Sequence, residues 1–457
     1  MTTAALRLAR SLAAAGRDEA ARQAYLAVLR QDPDQVAALV EFGVLAETGG
    51  YRSAARSAYQ RAVIIDADHA VARTGLANAL RDSGKLTAAR DHYRAALRCD
   101  PDFTAAHRGL AGVLSALGDP SAEAHWRAGY AGQTAIVRRY RGSGLATNLL
   151  LLFAARGGNV ETGPWIDDRR YAVTALCADY HDPEAPLPPH DLIVNAIGDA
   201  DLCTDALANA ERIIARSTAP VINPPARVRW TTRTGNAVRL AAIPGVVTPR
   251  TAAISRRAVD VLRGWDFPLL LRSPGFHTGQ HCLRVDSPDT LESAAAVLPG
   301  EVLLAITYHD CRGADGLFRK CRVMFIDGGV YPLHMAASAD WKVHYFTAAM
   351  AGNESLREEE GRFLTRMSDV LGARAVDALA GVGETLGLDY GGVDFSLRPD
   401  GSILVFEANA TMVAPPPPSE PIWDYRRKAV AVVLEAAGAM VSRRVASMAT
   451  DTAGIAD

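Results

Sequence analysis

The chain has 457 residues, of which 49% are hydrophobic and 22% charged, with a formal net charge of −2. That length predicts two to four domains, and the near-zero charge argues against nucleic acid or an anionic membrane as the main partner. Six scattered cysteines with no Cys-x-x-Cys pair argue against a disulfide framework or a zinc site and suit a cytoplasmic location.

The first run, MTTAALRLARSLAAAGR, is broken by Arg7 and Arg10, which fits an amphipathic helix better than a signal peptide. No run reaches the roughly 18 apolar residues that a membrane span needs. Residues 1–118 repeat with a period of 34: Gly16, Gly50, Gly84 and Gly118 keep that step, as do Tyr25, Tyr59 and Tyr93, and Ala21, Ala55 and Ala89. The turn elements Asp32-Pro33, Asp66-Ala67 and Asp100-Pro101 follow it too. This pattern resembles the tetratricopeptide repeat, a helix–turn–helix unit of the same length. Gly is expected to end the first helix of each unit, Ala to let the two helices approach, and Tyr to fill their seam. Such an array presents a concave face. Docking of a peptide or protein and self-association into a homodimer stand as alternatives for it. A capping helix is expected to close the array by about residue 140, followed by a Gly-Ser linker.

Beyond Gly144 the composition changes. LATNLLLLFAA (145–155), RYAVTALCADY (170–180) and HDLIVNAIGDAD (190–201) read as strands, followed by a helix over 203–217 and a short strand at 219–223. Strands alternating with helices predict a largely parallel α/β sheet over 145–250. The third strand ends in Gly198-Asp199-Ala200-Asp201, where such sheets bind ligands, although a plain loop reads equally well.

The last signal is GVDFSLRPDGSILVFEAN (392–409), two alternating strands joined at Pro399-Asp400-Gly401. With Asp400-Gly401 as a two-residue loop, Ser402 pairs with Pro399, Phe406 with Phe395, and Asp394 with Glu407; Asn409 points to the same face. Facing carboxylates repel, and a hard divalent cation between them would relieve this. A longer loop would slip the register by one residue and separate the pair; a solvated outer face is the plain alternative.

The order of PVINPPARVRWTTRTGNAVRLAAIPGVVTPRT (220–251), the strand PLLLRSPGFHTGQ (268–280) and the hairpin ending FEAN resembles the ATP-grasp superfamily over residues 145 to 440. The nearest likeness is to its glutathione synthetase-like and ribosomal-protein-modifying ligases. The resemblance implies a multidomain chain: an all-α repeat solenoid (1–140), an α/β domain (145–250) and an ATP-grasp α/β (α+β) domain (251–448) that clamps ATP between antiparallel sheets. It implies Asp394, Glu407 and Asn409 as ligands of two Mg²⁺ ions, and Arg272 in the place of the usual phosphate-binding Lys. It further implies Ser273, Gly275 and Gly279 in a phosphate flap, Arg233 as a second nucleotide-facing cation, and Asp310 beside the ribose. Arg322 and Lys342 are expected to reach phosphate or a substrate carboxylate. His277, His281 and Cys282 allow zinc by residue type, but they fall in flap and strand rather than on a helix. The run PPPPSEP (415–421) is a polyproline segment that either walls the substrate pocket or only carries the chain to a C-terminal helix. The implied reaction is an ATP-dependent carboxylate–amine ligation through an acyl phosphate. A kinase on the same scaffold and a non-catalytic adaptor are the alternatives.

Overall fold

The computed structural model describes residues 2–276, 279–344, 348 and 350–453. The chain divides into two compact units, Met1–Thr134 and Ala135–Asp457. Among the described residues no helix is long and apolar enough to cross a membrane.

The first unit is a row of packed helix pairs: α1 (Thr2–Ala14) with α2 (Asp18–Gln31), α3 (Val36–Thr48) with α4 (Arg52–Ile65), α5 (Ala70–Asp82) with α6 (Leu86–Cys99), and α7 (Thr104–Ala116) with α8 (Ala122–Tyr130). The period of 34 reappears in the first residues of α1, α3, α5 and α7. Gly16, Gly50, Gly84 and Gly118 all take a left-handed φ between the helices of a pair, where a Cβ would be strained. Each is followed by a backbone N–H that reaches back five residues, as in Arg17 N to Leu12 O at 3.0 Å and Tyr51 N to Ala46 O at 2.8 Å, a Schellman ending. Ala21, Ala55 and Ala89 are buried, but the closest approach is made by glycine. A Cβ at Gly75 would lie 2.4 Å from the Tyr59 ring, and one at Gly109 only 2.3 Å from the Tyr93 ring. The ring of one pair is thus seated against bare backbone of the next. The cap is shorter than expected: α8 stops at Tyr130, and Ala135 already begins a strand.

The second unit has three sheets. The first contains β1 (Ala135–Val137), β2 (Thr147–Phe153), β3 (Tyr171–Cys177), β4 (Leu192–Asn195) and β5 (Val221–Ile222), in the order β1-β3-β2-β4-β5. Its pairs are parallel except for β1 on the edge. Leu149 to Leu152 of β2 are buried on both faces, the mark of a covered parallel strand. Leu150 and Leu152 pack with α9 (Thr204–Ile214), while Leu149 and Leu151 share a core with α16 (Asp424–Ala453). The short helices α10 (Pro225–Arg229) and α11 (Arg233–Arg239) then lead to β6 (Val246–Val247).

The second sheet runs β7-β10-β8-β9, with β7 (Thr251–Ser255), β8 (Leu269–Arg272), β9 (Cys282–Val285) and β10 (Val302–Thr307), all antiparallel, packed on α12 (Leu291–Val297). The third runs β12-β11-β13-β14-β6, with β11 (Phe318–Ile326), β12 (Gly329–Ser338), β13 (Tyr390–Leu397) and β14 (Ile403–Asn409). Cys321, Val323, Phe325, Val393 and Phe395 share a core with α15 (Ala373–Leu386), which follows α13 (Glu354–Thr365) and α14 (Met367–Leu371). The alternate residues, among them Lys320, Arg322 and Asp394, therefore face the other way. One buried ion pair fastens the rear of this sheet. Glu360 of α13 is fully buried and accepts from Arg426 Nη2 at 2.6 Å, from the Tyr425 hydroxyl at 2.6 Å and from Met335 N at 3.2 Å.

Candidate functional site

The hairpin carries two departures from the expected register, and they cancel. Its loop has three residues, not two: Arg398 N donates to Ser402 O at 2.9 Å, and Gly401 closes the turn at φ +76°. Leu397 therefore faces Ile403 and Phe395 faces Val405, one residue off the expected pairing. A bulge between Asp394 and Phe395 on one side and Val405 and Glu407 on the other leaves Phe406 unpaired and restores the pairs Asp394–Glu407 and Gly392–Asn409. On the other flank Arg322 pairs with Asp394 and His334 with Arg322. One row, His334, Arg322, Asp394, Glu407, thus crosses β12, β11, β13 and β14.

Protein cations already relieve the repulsion that pointed to a metal. Arg322 holds Asp394 through two bonds, Nε to Oδ1 at 2.6 Å and Nη2 to Oδ2 at 2.9 Å, and Lys320 Nζ lies 3.1 Å from Oδ2. Arg233 Nη2 donates to Glu407 Oε1 at 2.6 Å, and Asn409 Nδ2 to the same oxygen at 2.8 Å. Burial alone would raise the Asp394 carboxyl, but Arg322 and Lys320 hold it far below the usual range. Burial likewise opposes the Glu407 charge, yet Arg233 and Arg272 bring it down to about 2. Burial lowers the Arg272 guanidinium, and Arg233 beside it adds to this. Burial lowers the His334 imidazole well below its ordinary value, with Arg322 reinforcing the effect.

Asp394 and Glu407 therefore stand among Arg233, Arg272, Lys320 and Arg322, with Asp201 as a further carboxylate 3.9 Å from Arg233 Nε. Asn409 Oδ1, the oxygen a metal would take, accepts from Thr411 N at 3.0 Å and Thr411 Oγ1 at 2.8 Å. Among the described residues there is no group of three or more His, Cys, Asp or Glu placed for a metal. The donor types suit a hard cation, which would share these carboxylates with the arginines and lysine that now hold them.

The row lies in a cavity of about 480 Å³ lined by the second and third sheets. The register divides it. On one side of the row lie Lys320 and Leu404, toward Thr307, Tyr308 and His309 at the end of β10. On the other side lies Gly392, where a Cβ would sit 3.1 Å from Met412 Cγ, so the chain after β14 folds back over that end. A smaller cavity of about 70 Å³, lined by Asp199, Asp201, Arg233, Asn236, Arg272 and Glu407 among others, adjoins it.

The expected site residues fall in unequal places. Arg272, Arg322, Lys342, Asp394, Glu407 and Gly279 line the large cavity, with Lys342 Nζ donating to Cys282 O at 2.8 Å. Arg233 and Asn409 line the small one, and Arg233 N also donates to Asp201 Oδ2 at 3.1 Å. Two expectations need correction, and a third residue lies outside the cavity lining. Asp310 does not line the cavity; it grips Arg312 at the surface, Nε to Oδ1 at 3.0 Å, because the strand has already ended at Thr307. Ser273 is buried with its hydroxyl donating to Pro299 O at 2.7 Å and its N–H to His281 O at 3.0 Å, which leaves neither for a phosphate. Gly275 takes φ +77°, with Leu202 Cδ1 3.3 Å from where a Cβ would stand, and it is not among the residues that line the cavity. His277 and Thr278 of the expected flap lie outside the described residues. Lys320 was missed. It is two residues before Arg322 on the same strand face, so alternation alone placed it in the site.

Neither a protein-family model nor a curated protein matches the chain. Similar solved structures include MamA, at 23% identity and a TM-score of 0.25 over 26% of this chain and 71% of that one. The thermophilic TPR protein TTC0263 of Thermus thermophilus gives 23% identity and 0.26 over 29% and 74%. A MamA from Desulfovibrio magneticus RS-1 gives 19% and 0.26 over 28% and 72%. The first unit is a tetratricopeptide-like array of helix pairs, and the second is a separate α/β unit with three sheets.

Proposed function

We propose that the second unit is an ATP-dependent carboxylate–amine ligase of the ATP-grasp type, with ATP in the large cavity. One observation carries this reading. Arg272 and Lys342 on one side and Lys320 and Arg322 on the other line a single cavity between the second and third sheets, against two carboxylates that are already paired. Arg272 and Lys320 are half-buried and Lys342 is exposed, and a triphosphate would offer each of them charge-assisted hydrogen bonds. Arg272 offers a forked guanidinium suited to phosphate oxygens.

In the proposed reaction a substrate carboxylate oxygen attacks the γ-phosphorus. An O–P bond forms, and the bond to the β-phosphate oxygen breaks with its electrons leaving on ADP. The amine nitrogen then attacks the acyl carbon. A C–N bond forms, the C–O bond breaks, phosphate departs with the electron pair, and the amine proton passes to solvent. Arg322 and Lys320 would hold the carboxylate and the transferring group, while Arg272 and Lys342 steady the phosphates. Magnesium accompanying the nucleotide would be held by Asp394, Glu407 and Asn409 and would neutralise charge on the phosphates. The repeat unit would dock a peptide, a protein or a second copy of the chain.

The test is calorimetric titration of the full chain with ATP and Mg²⁺, then product analysis with mixed carboxylates and amines. Nucleotide binding with ADP and an amide as products is the expected result. A phosphorylated hydroxyl in place of an amide would make the protein a kinase, and absence of nucleotide binding would leave only a docking protein.

A further inference from the structure

Part of the large cavity's lining, on the far side of the charged row, is not used by the nucleotide reading, and we call it the second lobe. It lies beyond the charged row from Tyr308 and His309, on the side of Gly392 and Asn409. Leu333 of β12, Met412, Val413 and Pro415 of the chain after β14, and Val430 of α16 line the cavity there. None of the lining residues from the segment after β14 or from α16 carries a charge. His334 of the row lines the cavity as well, and two further polar lining residues nearby are already engaged. Asn159 exchanges both side-chain bonds with the Ala154 backbone at 2.8 Å, and the Thr411 hydroxyl donates to Asn409. At the inner end stands Arg322, whose Nε and Nη2 hold Asp394; its Nη1 has no hydrogen-bond partner among the described residues.

We infer that this lobe takes a monocarboxylic acid with an uncharged, apolar body and no ammonium group, its carboxylate against Arg322 at the charged row. The inference rests on the ligase reading and names its substrate class. Its logic is one of desolvation. An ammonium beside the carboxylate needs a carboxylate partner once it leaves water. Among the described residues lining the cavity the only carboxylates are Asp394 and Glu407, and both are paired with arginine. A second carboxylate at the far end would need a second cation, and the chain after β14 and α16 offers none there. Apolar walls with a single convergent charged group are the usual form of a small-molecule site.

The test uses the full chain with ATP, Mg²⁺ and hydroxylamine in place of the amine, so that an activated acid is trapped as its hydroxamate. 3-Methylbutanoate and benzoate are compared with leucine and phenylalanine, which carry the ammonium, and with glutarate, which carries a second carboxylate. Hydroxamate and ADP are expected from the monocarboxylates at rates roughly tenfold or more above the others. Equal or faster turnover of leucine, phenylalanine or glutarate overturns the inference and leaves the ligase reading standing; no hydroxamate from any acid overturns both. Two variants locate the lobe. Val430→Trp should abolish binding of 3-methylbutanoate in calorimetry while ATP still binds. Met412→Ala, which enlarges the lobe, should shift the preferred acid toward longer chains; an unchanged chain-length profile in the folded Met412→Ala protein would overturn the placement.

Discussion

Glu407→Gln decides whether the two facing carboxylates are a strained pair awaiting a metal or a pair already held by the protein. Glu407 is held at about 2 against an ordinary 4.5 by Arg233 and Arg272, despite burial. Its folded-state value lies below its unfolded one, so its ionisation stabilises the fold above about pH 4.5. That contribution fades as pH falls toward 2. The difference corresponds to about 3 kcal/mol at neutral pH. Glutamine keeps an oxygen for Arg233 but removes the charge, and it leaves Arg233, buried beside Asp201, short of its nearest counter-ion. Urea unfolding of parent and variant in the presence of a chelator is the assay. The variant should be less stable by about 2–3 kcal/mol at pH 7, and the gap should narrow below pH 4.5 as the parent loses its advantage. If relief of repulsion from Asp394 dominated, the neutral variant would instead be the more stable protein. A Glu407→Gln protein at least as stable as the parent at pH 7 would refute the idea that the arginines outweigh that repulsion.

Glu360→Ala takes its carboxylate away from Arg426, which is 2% exposed, behind the site. A loss of about 3–5 kcal/mol is expected, with much of it recovered in Glu360→Leu combined with Arg426→Met; differential scanning calorimetry checks both. Gly75→Ala drives a Cβ to 2.4 Å from the Tyr59 ring and should destabilise the repeat unit by about 1–3 kcal/mol, read from the helical signal on melting. At Gly198 a Cβ would meet the Ala410 carbonyl carbon at 2.8 Å and Thr411 N at 2.9 Å. Gly198→Ala should therefore displace the segment that carries Met412, with a comparable stability loss and weakened acid binding in calorimetry.

The repeat unit was legible because its spacing is periodic and its turns demand glycine. What spacing did not disclose is that Gly75 and Gly109, not the recurrent alanines, admit the tyrosine rings. That depends on which helix faces the ring, a tertiary fact. In the hairpin the alternation of Asp394, Glu407 and Asn409 was readable, but loop length and bulge were not, since each shifts register locally and leaves the composition unchanged. The partners of the carboxylates lay far away in sequence. Arg322 is 72 residues from Asp394, and Arg233 is 174 from Glu407. Two like charges in view suggested a missing cation; folding supplies it from other strands and from a helix. Asp310 misled because a lone carboxylate near a strand end resembles a sugar ligand until its neighbour two residues on claims it.

The bulge at Phe406 has a consequence for what one strand can offer a ligand. In an unbroken pleat, consecutive side chains go to opposite sides, so an aromatic ring and an acid next to each other in sequence never meet the same molecule. Here Leu404, Phe406 and Glu407 all border one cavity. A single extra residue lets β14 set a flat apolar surface immediately beside an anion. Were the same sequence laid out as an unbroken pleat, either the ring or the carboxylate would turn out of reach.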